Sequence, residues 1–392
     1  MTDVAERLQE LRDRGLYRRL RLVNGPQGPR VLLGGRPVLL LCSNNYLGLA
    51  DHPKVRSAAA EAAMRWGAGA GASRLISGNM EPHRRLESRL AEFKGYEAAL
   101  LFGSGYLANS GIIAALAGAG EVVFSDALNH ASIVDGCRLS RAETFVYRHG
   151  DLEHLAWGLE QAGGRGSLIV SDGVFSMDGD VAPLPELLEL ARRHRCRLMV
   201  DEAHATGAIG PGGRGSVAAA GLSGEVDIVV GTLGKALGSY GAYACAGAET
   251  IDFLVNTARP FIFSTAPPPS SVAAAAAALE LVSPQRVERL QENAARFRAA
   301  LAAEGLDAGS SQTQIVPIEV GGAETTMDLC ERVLERGVFA QGIRPPTVPE
   351  GSSRLRFTVM ATHRSGELER AAKLVGGGAR ELGLLAPQAA TA

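Results

Sequence analysis

From about residue 80 to residue 235 the chain alternates between helix-patterned segments and short apolar runs, and this alternation constrains its fold more than anything else in it. Leu86, Leu90 and Phe93 recur at helical spacing within 81–93. Short apolar runs follow at 98–102, 121–125, 144–147, 167–171, 196–200 and 226–230, and 187–195 reads as a helix between two of them. Gly103-Ser104-Gly105-Tyr106 opens a further helix directly after the first run. Strand-like runs joined through helices make βαβ units, and those units build a mostly parallel sheet covered on both faces. The expected class is α/β. Ligands in such sheets bind beyond the carboxyl ends of the strands, so the residues just after each run decide what the protein does.

The flanking regions have a different character. Val4, Leu8 and Leu11 share one helical face, and Gly15 can close that helix. Residues 31–33 and 38–41 read as a hairpin turned by Gly34-Gly35-Arg36-Pro37, and 42–49 as a polar loop. A helix starts near His52-Pro53, with proline in its first turn, and runs to about Trp66. Beyond residue 255 comes a proline-rich break ending in Pro267-Pro268-Pro269. A long helix follows over 271–303, kinked near Pro284, then strands at 315–320, 338–339 and 354–359 and helices at 327–336 and 366–382. That is a smaller α+β domain. The expected segmentation is 1–48 as an N-terminal helix and hairpin, 49–255 as a large domain, 256–385 as a small one and 386–392 as a disordered tail.

Several function classes drop out. A net charge of −2 gives no field to attract nucleic acid or an acidic membrane. The five cysteines form no Cys-x-x-Cys pair, so neither a disulfide framework nor a zinc site is indicated. Reduced thiols fit a cytoplasmic protein. The N-terminus lacks the apolar stretch of a signal peptide, and the greasiest segment, 271–282, is mainly alanine and too short for a bilayer. Gly67-Ala68-Gly69-Ala70-Gly71 looks like a dinucleotide fingerprint, but a helix precedes it where a strand is required, so that reading is rejected.

The run at 226–230 leads through Gly231-Thr232-Leu233-Gly234 to Lys235. An amine half withdrawn from water gives up its proton more readily, and a neutral amine can attack a carbonyl. On this stretch alone, an ordinary surface lysine on a glycine-rich turn is an equal reading. The other run ends tilt the balance, since Ser104, His130, Ser176, Asp201 and His204 also follow apolar runs. Pyridoxal 5′-phosphate needs this set. Lys235 can hold its aldehyde, and Asp201 can keep its pyridine nitrogen protonated. His204 can reach the ring hydroxyl, with small Ala203 leaving room for a flat ring, and His130 can stack on it. Ser104, Gly105 and Tyr106 at a helix start suit the phosphate, with Thr232 and Ser176 as further hydroxyls. Each has a plainer reading. Asp201 could cap a turn, either histidine could sit satisfied in the core, and Ser176 could bond its own backbone.

Asp201-Glu202-Ala203-His204 followed by Thr232-Leu233-Gly234-Lys235 resembles the α-oxoamine synthase family of pyridoxal-phosphate enzymes. Ser43-Asn44-Asn45-Tyr46-Leu47-Gly48-Leu49, Val174-Phe175-Ser176-Met177-Asp178-Gly179-Asp180 and Ser264-Thr265-Ala266-Pro267-Pro268 extend the resemblance over about residues 5–385. So does Ile343-Arg344-Pro345-Pro346-Thr347-Val348-Pro349 with Arg354-Leu355-Arg356. Two positions depart from the family pattern. Ala266 stands where a second hydroxyl is common, and Asp172 where Glu is common.

The resemblance implies a fold type I transferase, with a mostly parallel seven-stranded-type sheet between helices and a smaller C-terminal domain. It implies decarboxylative condensation of an amino acid, L-alanine here, with a pimeloyl thioester carried on CoA or on acyl-carrier protein, in biotin synthesis. Lys235, Asp201, His204 and His130 would form the catalytic set. Arg356 would bind the amino-acid carboxylate with help from Asn44, and Arg19 would meet the acyl donor, with Arg18 and Arg21 as rivals. Ser264 and Thr265 would reach the phosphate of a neighbouring subunit, hence a homodimer with shared sites. Three alternatives stay open: another α-oxoamine synthase taking glycine and a shorter acyl donor, a pyridoxal-phosphate aminotransferase or lyase, and a cofactor-binding regulator without turnover. The intact Lys235, Asp201 and His204 argue against the last.

Overall fold

The computed structural model describes residues 3–386. Its contacts define two units. The larger consists of Leu49–Ser176 and Asp180–Glu288; the smaller takes in residues up to Gly48, Met177–Gly179 and the chain from Arg289 on. These boundaries differ from 1–48, 49–255 and 256–385. The segment 256–288 belongs with the larger unit, and the N-terminal segment with the C-terminal one.

In the larger unit seven strands form one sheet, in the spatial order Ala98–Phe102, Ala242–Ala246, Ile228–Thr232, Arg197–Asp201, Gly166–Asp172, Val122–Asp126, Glu143–Tyr147. Six point the same way, and Ala242–Ala246 runs antiparallel to both neighbours. Successive residues alternate between two cores, as the pleat requires. Leu168 and Val170 pack with Ile112, Ile113 and Ile133 on one face, while Ile169 packs with Leu155, Leu187 and Leu188 on the other. Burying each of these aliphatic side chains stabilises the fold by roughly 1.5–3 kcal/mol, and the two covered faces leave the strand ends as the place for chemistry.

Three expected strands stop one residue short of an acid that the structure includes. Asp126 pairs with Tyr147, and Asp172 with Asp201. The strand expected at 226–230 is Ile228–Thr232, so Thr232 closes the strand. Asp227 precedes it, with its carboxylate accepting from the Leu198 N–H at 2.8 Å. The sequence gives no apolar branched run for Ala242–Ala246, yet all five residues are buried. The helices Ala131–Ser140, Leu152–Gln161 and Ala248–Thr257 add to the helices expected from the sequence. The long helix expected over 271–303 is two helices, Pro269–Leu281 and Pro284–Ala303, because proline lacks the N–H that would continue the first.

The smaller unit holds an antiparallel sheet, ordered Ile315–Gly321, Ser353–Thr358, Gln341–Ile343, and a second sheet of Val23–Asn24, Arg30–Leu33, Arg36–Leu40 and Val338–Phe339. The hairpin turns on Gly34 (φ 57°) and Gly35 (φ 81°). Positive φ at both central residues matches the strand twist and favours glycine. Phe297 and Phe357 meet edge-to-face at 5.4 Å in its core. The helix Val4–Asp13 buries none of its residues. Of the expected disordered tail, residues 387–392 lie outside the described residues. No helix among the described residues is long and apolar enough to cross a membrane.

Candidate active site

Lys235 lies three residues past the end of its strand, on a turn that only small residues permit. Gly238 has φ 59°, and a Cβ there would collide with the backbone of Ala50. Thr232 braces the same turn, its Oγ1 donating to the Gly241 carbonyl at 3.1 Å and accepting from the Gly234 N–H at 3.2 Å. That hydroxyl therefore shapes the lysine's turn as well as standing near it. Lys235 Nζ is 2.7 Å from His204 Nε2. The lysine is half-buried and His204 is buried. An amine and an imidazole at that distance can share one proton, so the amine has an immediate exchange partner.

Asp201 ends the neighbouring strand and is buried. Its Oδ1 accepts from the Ala203 N–H at 2.8 Å and its Oδ2 from Asn109 Nδ2 at 2.6 Å. Asn109 also donates to Ser132 Oγ at 2.9 Å. The sequence reading missed Asn109. Its signal was a single amide in the helix Gly105–Leu116, among alanine, isoleucine and leucine. A buried amide persists in such a place only if it is bonded.

Asp172 stands beside Asp201 on the next strand. Burial first, and then the Asp201 carboxylate, push its carboxyl well above the usual range. Its Oδ2 accepts the backbone N–H of His130 at 2.9 Å, which gives the residue the role left open in the sequence: it holds the start of the helix Ala131–Ser140. His130 caps that helix, and its Nδ1 lies 2.7 Å from Ser132 Oγ. Lost hydration lowers the His130 pKa; Asp201 opposes the fall and Lys235 adds to it. His130, Asp201 and Lys235 therefore sense one another electrostatically.

Ser104 caps the helix Gly105–Leu116, its Oγ accepting from the Leu107 N–H at 3.3 Å. The Gly105 and Tyr106 N–H groups precede the first helical hydrogen bond and are placed to take an anion. A Cβ on Gly105 would meet nothing within 4 Å, so the approach is open. The Tyr106 hydroxyl is exposed and donates to Asp135, which leaves the backbone as what this residue offers. Ser176 is buried in the loop after the strand Gly166–Asp172. Thr265 bridges Ser73, and the Ala266 N–H donates to the Ala72 carbonyl at 3.0 Å, so the Ser264–Thr265 segment is strapped to the glycine-rich stretch. Ser264 is half-buried and Thr265 exposed. An amine, a fixed carboxylate, an imidazole and a helix start on one sheet edge fit pyridoxal 5′-phosphate, and Ala203 adds no bulk.

The smaller unit brings two of the three expected substrate residues together. Arg356 is buried on the strand Ser353–Thr358. Tyr46 is buried, which raises its pKa, while Arg356 and Gln314 hydrogen-bond to it and pull the other way. The Tyr46 hydroxyl donates to Asn44 Oδ1 at 3.1 Å. Arg19 is exposed, its guanidinium 5.9 Å from the centroid of the Tyr17 ring.

A family model described as aminotransferase class I and II matches residues 36–375. An 8-amino-7-oxononanoate synthase of Geobacter sulfurreducens is 57% identical over 387 residues, 97% of this chain and 99% of the relative. Another, of Symbiobacterium thermophilum, is 48% identical over 390 residues, 98% of this chain and 100% of the relative. A solved serine palmitoyltransferase of S. paucimobilis with bound PLP has a TM-score of 0.92 at 33% identity, covering 97% of this chain and 98% of that one.

Proposed function

The chain belongs to the class I and II aminotransferase family, among its α-oxoamine synthases, and we propose that it condenses L-alanine with a pimeloyl thioester to give 8-amino-7-oxononanoate, carbon dioxide and free thiol in biotin synthesis. The observation that carries this reading is the 2.7 Å pair of Lys235 Nζ and His204 Nε2, one strand from an Asp201 carboxylate fixed by Asn109. The identity to 8-amino-7-oxononanoate synthases over nearly the whole chain selects the substrates.

Pyridoxal 5′-phosphate, when bound, supplies an aldehyde for an amine and a ring that draws off the electron pair left by a departing proton or carboxylate. Lys235 would be the amine that holds it, and its Nζ would be the base that takes a proton from the amino acid. His204 Nε2, 2.7 Å from Lys235 Nζ, would exchange that proton with it. Asp201 would keep the ring nitrogen protonated, and its buried setting would strengthen the pairing. His130, its backbone held by Asp172, would stack on the ring. Ser104 with the Gly105 and Tyr106 N–H groups takes the phosphate, with Ser176 and Thr232 adding hydroxyls. Arg356 binds the amino-acid carboxylate as a two-pronged donor, assisted by Asn44. Arg19 meets the anionic end of the acyl donor, which is carried on CoA or acyl-carrier protein. Ser264 and Thr265 serve the phosphate of a second subunit, which makes the working form a homodimer in the cytoplasm.

Mass spectrometry of the product decides the substrates. L-Alanine with pimeloyl-CoA or pimeloyl-acyl-carrier protein should give 8-amino-7-oxononanoate. Product from glycine and acetyl-CoA, with none from L-alanine, would overturn the assignment and leave another member of the family.

A further inference from the structure

His149 plays no part in the chemistry above, yet both of its ring nitrogens meet carboxylates on the strand-end edge. It follows the outermost strand, Glu143–Tyr147, within the larger unit. Its Nδ1 lies 3.0 Å from Asp126 Oδ1 and its Nε2 2.9 Å from Asp180 Oδ2. Carboxylate oxygens only accept, so both ring nitrogens must carry hydrogen, and the ring is a cation. The Phe175 ring packs against it edge-on at 4.4 Å.

Each aspartate is tied into a loop of the candidate cofactor site, Asp126 through its carboxylate and Asp180 through its backbone carbonyl. Asp126 Oδ1 also accepts the Leu128 N–H at 2.8 Å, and its Oδ2 the Gly150 N–H at 3.1 Å. That fixes the turn leading directly to His130. Asp180 accepts the Phe175 N–H on its carbonyl at 3.1 Å, and Val174 bridges Val181. That closes the loop carrying Ser176. The other Asp180 oxygen, Oδ1, is buried without a partner, so the histidine's donation is what compensates the charge.

We propose that His149, donating from both ring nitrogens to Asp126 and Asp180, is a positioning residue that locks the His130 and Ser176 loops into one cradle for pyridoxal 5′-phosphate. The proposal rests on the cofactor reading given above, and it concerns the order of the cradle rather than a chemical step. The titration behaviour agrees with the geometry. Hydrogen bonds to Asp126 and then to Asp180 raise the His149 pKa from 6.5 to about 10, against the opposing effect of burial. A histidine raised in the folded state contributes its full stabilisation below its unfolded pKa, and that contribution is lost as pH rises through about 10.

Two measurements test this on the full chain. Nitrogen-15 NMR of the ring should show both nitrogens protonated well above pH 7; a ring titrating at the ordinary histidine value overturns the clamp, even if no variant folds. Equilibrium dialysis with pyridoxal 5′-phosphate should show a dissociation constant raised about tenfold in His149→Gln near pH 7.5. Asp180→Asn should shift it the same way, and the double variant no further than the worse single one, because the pair acts as a unit. The gap between wild type and His149→Gln should close above pH 10, where the wild type loses the cation. A gap that stays constant with pH, or an unchanged dissociation constant, sinks the proposal. If the wild type itself binds no pyridoxal 5′-phosphate, the cofactor reading fails instead.

Discussion

Two lysines of the larger unit have partners only two residues apart in the chain, and the difference between them separates structure from chemistry. Lys94, at the end of the helix Glu81–Lys94, gives its Nζ to Glu202, to the Arg214 carbonyl and to Thr206 Oγ1. Its side chain is 2% exposed and that of Glu202 is fully buried. All three N–H donors are spent on fixed acceptors and the counter-charge is in contact, so the ammonium is held in place. Lys235 is half-buried and faces His204 Nε2, a group able to take a proton and return it. A carboxylate immobilises a lysine, whereas an imidazole leaves it able to react.

The largest expected effect breaks the comparison from the reactive side. Lys235→Ala should abolish covalent cofactor retention, seen as loss of the yellow colour and of the borohydride-sensitive band. Turnover should fall about 10³-fold or more, since the general base goes with it. Full activity in this variant would end the functional reading. Lys94→Met should fail differently. It leaves Glu202 buried with only Ser216 Oγ and the Val217 N–H at 2.9 and 2.7 Å. Removing one partner of a buried pair costs about 3–5 kcal/mol, read as a lower urea midpoint. Lys94→Met/Glu202→Leu should recover part of that loss. A cost no larger than that of an exposed pair such as Arg193–Glu189 would mean that Lys94 is not the locked lysine described here.

The two lysines also show how far a sequence can be read. Lys235 was legible because chemistry at strand ends is a local pattern: an apolar run, then glycines, then one reactive group. The same pattern exposed Asp201, His204, His130 and Ser104. Lys94 was not legible, because its partner is 108 residues away and nothing in a helix end announces a buried acid. Asn109 is 92 residues from Asp201, and His149 reaches Asp180 across 31. Such pairs exist only once the sheet has brought its strand ends together. The fold divides in the same way. The parallel strands show as Val, Ile and Leu runs, while Ala242–Ala246 is small-residue sequence that is a strand because neighbours pair with it on both sides.

Asp201→Asn sharpens the comparison at the residue just before the two partners. The side chain keeps its size, but an amide has one acceptor oxygen for two donors, the Ala203 N–H and Asn109 Nδ2. It also carries no charge for a ring nitrogen. The fold should survive, with kcat reduced roughly 10²-fold, the scale of one positioned proton-holding group. An unchanged kcat would remove Asp201 from the chemistry and leave it as a turn cap.

The smallest effect tests whether the locked lysine's surroundings can be altered without touching the reactive one. Tyr243 is fully buried, and its hydroxyl lies 2.9 Å from Thr206 Oγ1, which also takes a hydrogen from Lys94 at 3.3 Å. Tyr243→Phe removes one hydroxyl, and Thr206 keeps a partner in Lys94. The cost should therefore be that of one ordinary hydrogen bond, about 1 kcal/mol, seen as a fall in melting temperature of about 2–4 °C. The dissociation constant for pyridoxal 5′-phosphate and the pH profile of kcat should not move. If they do, Glu202 and His204 are mechanically coupled, and the distinction between an immobilised and a reactive lysine becomes one of degree, because the buried network would then be tuning the base through the turn that joins the two partners.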